Sequence, residues 1–324
     1  MITTIRLYAT LRELFPFNKC LHIGNFILLY YIKTLILLSL ALIASNTYAL
    51  PSNAEVLSDI AYGEDDKQTI DVYIPAGAKD APVIFMVHGG AWQGGDKARL
   101  AEFENKVAHW GAKGFVFISA NYRTLPENRP VGQAQDVKAA LLFSQENVRE
   151  WGGSPEKFIL MGHSAGAHLI SLVSSQNAAA AESGLTPWLG TVSLDTTYDL
   201  VKSMTSPNPP ELYKRVFSEN PDYWEKASPF YSLTDKLPPF LAVCSTRSDT
   251  LCVQAEHFLE KVESLGGYGE ILAVDLSHNE INSELGKDNC LTSRVDDFLK
   301  KLSLDIESPL TSQGAGTQTS CASD

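Results

Sequence analysis

Between residues 55 and 303, short apolar runs alternate with longer amphipathic stretches. That alternation is the pattern of an α/β fold built on a mostly parallel sheet. Two early strands are predicted over 56–62 and 69–74, joined by the acidic turn Gly63-Glu64-Asp65-Asp66. Later runs at 83–87, 115–120, 158–161, 190–194, 240–245 and 271–274 read as strands buried on both faces. Helical patterns fall between them at 97–110, 132–151, 165–175, 252–265 and 292–302, with Gly152-Gly153 breaking the second of these. The sum is a twisted sheet of about eight strands with helices on both faces. From 198 to 238 the alternation stops, and Pro and aromatic residues crowd the segment. It is too long for a simple connection after the sixth strand and reads as a lid-like insertion. No internal repeat is visible, so 50–307 is expected to be one domain. The small, polar stretch 308–324 is expected to be a disordered tail.

The first 49 residues have a different character. Lys33 precedes an apolar stretch running from Thr34 to Ala44, and Ser45-Asn46-Thr47-Tyr48-Ala49 follows with small residues at 47 and 49. A positive flank, a short apolar core and an A-x-A-like end make a secretory signal peptide cleaved after Ala49, and hence an exported, periplasmic or secreted protein. The competing reading is a membrane anchor, since residues 26–31 extend the apolar span. Lys33 interrupts it, and the stretch behind falls short of the roughly 20 residues a spanning helix needs, so no stable membrane anchor is expected. The segment before Lys33 is long for such a leader, which points to an overextended start.

Composition is that of an ordinary globular chain, 44% hydrophobic and 20% charged over 324 residues. A formal charge of −12 without a basic run argues against nucleic-acid or anionic-membrane partners. Beyond the leader lie Cys244, Cys252, Cys290 and Cys321, which admit three complete pairings in an oxidising compartment. A bridge from Cys252 to Cys290 would tie together the loops near Asp249 and His278. Their spacings match no zinc pattern, and no metal or organic cofactor is implied.

Chemistry concentrates at GHSAG, residues 162–166, between a predicted strand and a predicted helix. Gly162 and Gly166 permit the sharp turn of a G-x-S-x-G nucleophile elbow, which holds the Ser164 hydroxyl clear of the backbone. Read alone, the same five residues describe a helix N-cap serine in a glycine turn. The strand–turn–helix context favours the nucleophile. The N–H of Ala165, at the helix start, can point at a developing oxyanion. His88-Gly89-Gly90-Ala91-Trp92 follows the third strand, where exposed glycine amides supply the other donors. Gly89 and Gly90 are the candidates, with Ala91 as a further one.

Three histidines follow Ser164. His168 lies one turn into the helix after the elbow, and His257 lies mid-helix. His278 sits in a loop after the last strand, where its side chain can reach over the sheet, and is the expected base. The carboxylate that orients it is expected to be Asp249, after strand 240–245, with Asp195 and Asp199 after the preceding strand as runners-up.

The ordered set HGGAW at 88–92, NYR at 121–123, GGSPEKFILMGHSAGAH at 152–168, SD at 248–249 and SHNE at 277–280 resembles the α/β-hydrolase esterases. The branch is the one related to hormone-sensitive lipase, kynurenine formamidase and feruloyl/acetylxylan-type esterases. The resemblance covers residues 55–303 and implies Ser164 as nucleophile, His278 as base, Asp249 as acid, and Gly89, Gly90 and Ala165 as oxyanion hole. Ala91 stands where the third glycine of an HGGG loop would be. The implied reaction is hydrolysis of a small-molecule carboxylic ester through an acyl-enzyme. An arylformamidase using the same site and a catalytically silent binding module are the alternatives. Trp92, Tyr122 and His163, with Trp188 and Tyr198, are candidates for an aromatic pocket. Oligomeric state and the natural ester are left open.

Overall fold

A computed structural model describes residues 54–176 and 182–311. The proposed leader, its cleavage point and the last part of the tail lie outside the described residues. Eight strands form one sheet in the order β1-β2-β4-β3-β5-β6-β7-β8. They are β1 (Glu55–Ala61), β2 (Thr69–Ile74), β3 (Ala81–Val87), β4 (Val116–Ala120), β5 (Gly153–His163), β6 (Gly190–Leu194), β7 (Phe240–Ser245) and β8 (Gly269–Val274). Strand β2 runs antiparallel to both β1 and β4, and every other pairing is parallel. This is the expected α/β-hydrolase arrangement.

The continuous apolar runs bury both faces of the sheet. Val83, Phe85 and Val87 of β3 pack to one side, and Ile84 and Met86 pack to the other. On the first side lie α2 (Pro130–Asn147) and α3 (Ala165–Ser175), through Val137, Leu141, Leu169 and Leu172. On the second lie Trp110 and, from α10 (Cys290–Lys300), Val295 and Phe298. A third cluster joins Phe240 of β7 to Phe258 and Val262 of α8 (Leu251–Ser264). Buried apolar side chains of this size contribute roughly 1.5–3 kcal/mol each, so these faces fix the order and register of the strands.

Several boundaries differ from expectation, each for a local reason. The helix expected over 97–110 is α1 (Leu100–Lys106), which widens into a π-helical turn at Val107–Gly111. The helix expected over 132–151 starts earlier, with Pro130 in its first turn, where a missing N–H costs nothing. It tightens to a 3-10 turn at Val148–Trp151 and stops at Gly152, which has φ 75°. The insertion after β6 consists of short helices: α4 (Leu200–Met204), α5 (Glu211–Phe217), α6 (Pro221–Ala227) and α7 (Pro229–Ser232). Val216, Phe217 and Ala227 join the first core cluster, so the insertion is packed onto the domain. A short α9 (His278–Glu284) follows β8. Helix α11 (Leu304–Thr311) runs into the stretch read as tail, because Ile306 and Leu310 find the second core cluster.

Three histidines are buried at the carboxyl edge of the sheet: His88 after β3, His163 at the end of β5 and His168 in α3. Burial pushes His88 and His168 down to about 4 and His163 to about 3, the last aided by neighbouring His278. The unfolded chain takes up these protons below about pH 6.5, and the folded chain takes them up only in stronger acid. Their contribution is therefore complete above pH 6.5 and is lost as pH falls toward 4, by about 2 kcal/mol per histidine at pH 5. Urea unfolding is expected to show a lower midpoint at pH 5 than at pH 7.5; an unchanged or higher midpoint contradicts neutral burial of these rings.

Candidate active site

Ser164 occupies the turn between β5 and α3, with φ 55° and ψ −119°. That left-handed backbone is costly for a residue with a Cβ, and it persists where the surroundings over-determine it. Here they do. The Ser164 N–H donates to the Leu194 carbonyl at 2.9 Å, and the Ser164 carbonyl accepts from the His168 N–H at 3.0 Å. A Cβ at Gly166 would collide with the Val87 and His88 carbonyls, so only glycine lets α3 approach β3 this closely.

His278 opens α9. Ser277 caps that helix by accepting from the Glu280 N–H at 3.3 Å, and Glu280 accepts the Ser277 N–H at 2.8 Å. Loop 246–250 holds this segment from the side. Arg247 donates to the Asp275 carboxylate at 2.7 Å and to Glu280 at 3.0 Å, while Ser245 Oγ donates to the Leu276 carbonyl at 2.6 Å. So placed, the His278 Nε2 lies 2.8 Å from Ser164 Oγ, and its Nδ1 lies 2.6 Å from Asp195 Oδ2.

Asp195 is therefore the carboxylate on the imidazole, and Asp249 is not. Asp195 stands one residue beyond β6, with φ 54° and its side chain fully buried. Its N–H donates to the Val243 carbonyl at 2.8 Å, and its Oδ1 accepts the Ser245 N–H at 2.8 Å. Both carboxylate oxygens are thus engaged, one by the backbone and one by the imidazole. Asp249 instead lines a separate pocket of about 300 Å³ with Lys202, Ser203, Asn208 and Tyr213. The reason is geometric. Strand β6 lies beside β5, the strand that presents Ser164, so an aspartate at its end stands next to that serine. Loop 245–251 is closed by a Cys244–Cys252 disulfide and gives its Ser245 N–H to Asp195. That pairing excludes the Cys252–Cys290 bridge, one of the pairings left open by the sequence. The other runner-up, Asp199, caps α4 by accepting the Lys202 N–H at 2.8 Å.

Over Ser164 and His278 opens a pocket of about 440 Å³ that includes Gly89, Gly90, Ala91 and His163. Ala165 starts α3, so its N–H has no intrahelical acceptor and sits beside the Ser164 hydroxyl. Gly90 has φ 135°, and a Cβ there would strike the Gly94 carbonyl, while Ala91 and Trp92 continue the turn at φ 56° and 59°. The loop is held in that shape from beneath. Trp92 Nε1 donates to His168 Nδ1 at 3.2 Å, which makes Nε2 the protonated nitrogen of His168, donating to the Ala227 carbonyl of α6 at 2.8 Å. Tyr122 stacks on His88 and donates to the His88 carbonyl at 3.1 Å.

Trp92 and Tyr122 are accordingly buried supports of the glycine loop, not pocket walls. Trp188 and Tyr198 are likewise buried, donating to Thr191 and Ser193. Of the proposed aromatic lining, only His163 reaches the pocket. Its Nε2 is 2.8 Å from the His278 carbonyl, and donation there fixes the backbone that carries the imidazole. Sequence reading had no signal for the work of Arg247, whose partners are assembled only by folding. Among the described residues, no three metal-ligating side chains converge, and no helix is long and apolar enough to cross a membrane.

Comparison with known proteins places this geometry in a family. Esterase LipC of Mycobacterium tuberculosis is 29% identical over 238 residues, covering 65% of this chain and 57% of LipC. The isoprenylcysteine alpha-carbonyl methylesterase of Arabidopsis thaliana is 26% identical over 248 residues, 69% of this chain and 56% of that one. The chain thus spans little more than half the length of these relatives. Among solved structures, a truncated carbohydrate esterase from gut microbiota superposes with a TM-score of 0.67 at 18% identity, over 78% of this chain and 98% of that one. Apo Thermogutta terrifontis esterase 2 gives 0.63 at 22%, over 79% and 96%. The BD-FAE family model matches residues 70–261, from β2 through most of α8. The chain belongs to the BD-FAE family and has the α/β-hydrolase fold.

Proposed function

We propose that the protein is a serine hydrolase that cleaves carboxylic esters through an acyl-enzyme, with Ser164 as nucleophile, His278 as general base and acid, and Asp195 as the orienting carboxylate. The observation that carries this reading is the unbroken chain Ser164 Oγ–His278–Asp195, at 2.8 and 2.6 Å. Buried Asp195 accepts Nδ1–H and so selects the tautomer whose Nε2 lone pair faces the hydroxyl. His278 takes the Ser164 proton as Oγ attacks the ester carbonyl. The oxygen that gains charge is received by the amide of Ala165 and those of Gly89 and Gly90. His278 then gives its proton to the departing alcohol, and water repeats the sequence on the acyl-enzyme. The names carried by the relatives, esterase and methylesterase, support the same reaction class. A disulfide at Cys244–Cys252 supports residence in an oxidising compartment, in keeping with export.

Ser164→Ala is expected to abolish turnover of p-nitrophenyl acetate. Asp195→Asn is expected to lower kcat roughly 10³–10⁴-fold, through loss of the correct tautomer, whereas Asp249→Asn stays within a few-fold of the parent. Equal rates in the parent and Ser164→Ala contradict ester hydrolysis at this site. A collapse in Asp249→Asn with Asp195→Asn unharmed contradicts the assignment of the acid.

His163 acts on the reaction by positioning His278. Removing its buried donor in His163→Leu is expected to lower kcat roughly tenfold, the worth of about one hydrogen bond, with KM nearly unchanged. His163→Gln keeps an N–H at that reach and is expected to recover most of the loss. A fall confined to KM, or no rescue by Gln, contradicts this role.

A further inference from the structure

The wall of the active-site pocket formed by the N-terminal end of α1 and by α9 is polar and positive. It is lined by Arg99, Asn279, Asn282 and Ser283, and among the described residues no Asp or Glu side chain borders the pocket. This is unexpected in a chain of formal charge −12, and it is unlike the mostly apolar lining that an alkyl group favours. Among the described residues, no carboxylate lies within ion-pair distance of the Arg99 guanidinium, although nine other Lys and Arg side chains are paired. Behind the wall, the Lys106 ammonium is buried and donates to the Asn282 carbonyl and to Asn282 Oδ1, each at 2.8 Å. With Oδ1 facing the Lys106 ammonium, the Asn282 amide N–H groups remain available to a ligand. The wall thus presents a planar guanidinium fork beside the neutral polar groups of Asn279, Asn282 and Ser283.

Resting on the proposed ester hydrolysis, we infer that this pocket selects esters that carry a carboxylate close to the scissile bond, with Arg99 as the specificity-determining residue. A guanidinium pairs bidentately with a carboxylate, and a partly enclosed pair is worth more than an exposed one. Arg99 itself is solvent-exposed, which sets the expected discrimination near the lower end, roughly tenfold. A neutral alkyl group of equal size has no ion pair to form with Arg99 on this wall.

The test compares kcat/KM for two substrate pairs in the parent protein, Arg99→Gln and Arg99→Lys. Ethyl hydrogen glutarate against ethyl valerate places the charge on the acyl side, and 4-acetoxybenzoate against 4-tolyl acetate places it on the alcohol side. Intrinsic reactivity cancels when each charged-to-neutral ratio is compared between parent and variant. In at least one pair, the ratio is expected to fall roughly tenfold in Arg99→Gln, to recover in part in Arg99→Lys, and in the parent to fall as salt rises. Ratios that are unchanged by Arg99→Gln in both pairs overturn the inference, while normal turnover of the neutral esters leaves the hydrolase reading standing. No turnover of any ester, with Ser164 unacylated, overturns both.

Discussion

The site depends on one buried carboxylate. Asp195 has no access to solvent, and an ionised group there is tolerable only if both oxygens are paired. The Ser245 N–H satisfies one and the His278 imidazole the other. That requirement works in both directions. It ties the end of β6 to the end of β7 and to the first residue of α9, and it fixes the ring orientation of His278 at the start of that capped helix. Removing either partner would strand the charge, so the geometry of the Ser164–His278 pair and the local stability of two strand ends and the start of α9 are coupled.

The rest of the site is a set of strained turns, each held by packing. Ser164, Asp195, Ala91 and Trp92 all have positive φ, conformations costing of order 1–3 kcal/mol each for non-glycine residues. They lie at the carboxyl ends of β5, β6 and β3, where the parallel sheet supplies a stiff base. The Trp92–His168–Ala227 chain reaches from the glycine loop through α3 to α6. The inserted helices thus brace the donor loop instead of lying loosely over it. This brace requires a neutral His168, which burial provides.

Much of this was legible in the sequence because it follows from periodicity and local chemistry. Continuous apolar runs identified the buried strands, and GHSAG after such a run located Ser164. The order of strand, glycine loop and late histidine located Gly89, Gly90 and His278. The choice between Asp195 and Asp249 was not legible. Both follow neighbouring strands, and what separates them is burial and a backbone donor from Ser245, which come from tertiary packing. For the same reason Trp92, at the end of the glycine loop, and Tyr122, just after β4, read as pocket residues when they are the loop's underlying supports. The stretch from Ser308 to Thr311 looked too polar to fold, yet Leu310 reaches the core and α11 forms.

The central claim, that His278 is oriented by Asp195, is tested most directly by proton NMR of the imidazole Nδ1–H in the parent, Asp195→Asn and Asp249→Asn proteins. A hydrogen bond of 2.6 Å to a buried carboxylate predicts a far-downfield, slowly exchanging Nδ1–H resonance that persists in Asp249→Asn and disappears in Asp195→Asn. Persistence of that resonance in Asp195→Asn, with its loss in Asp249→Asn, would contradict the account.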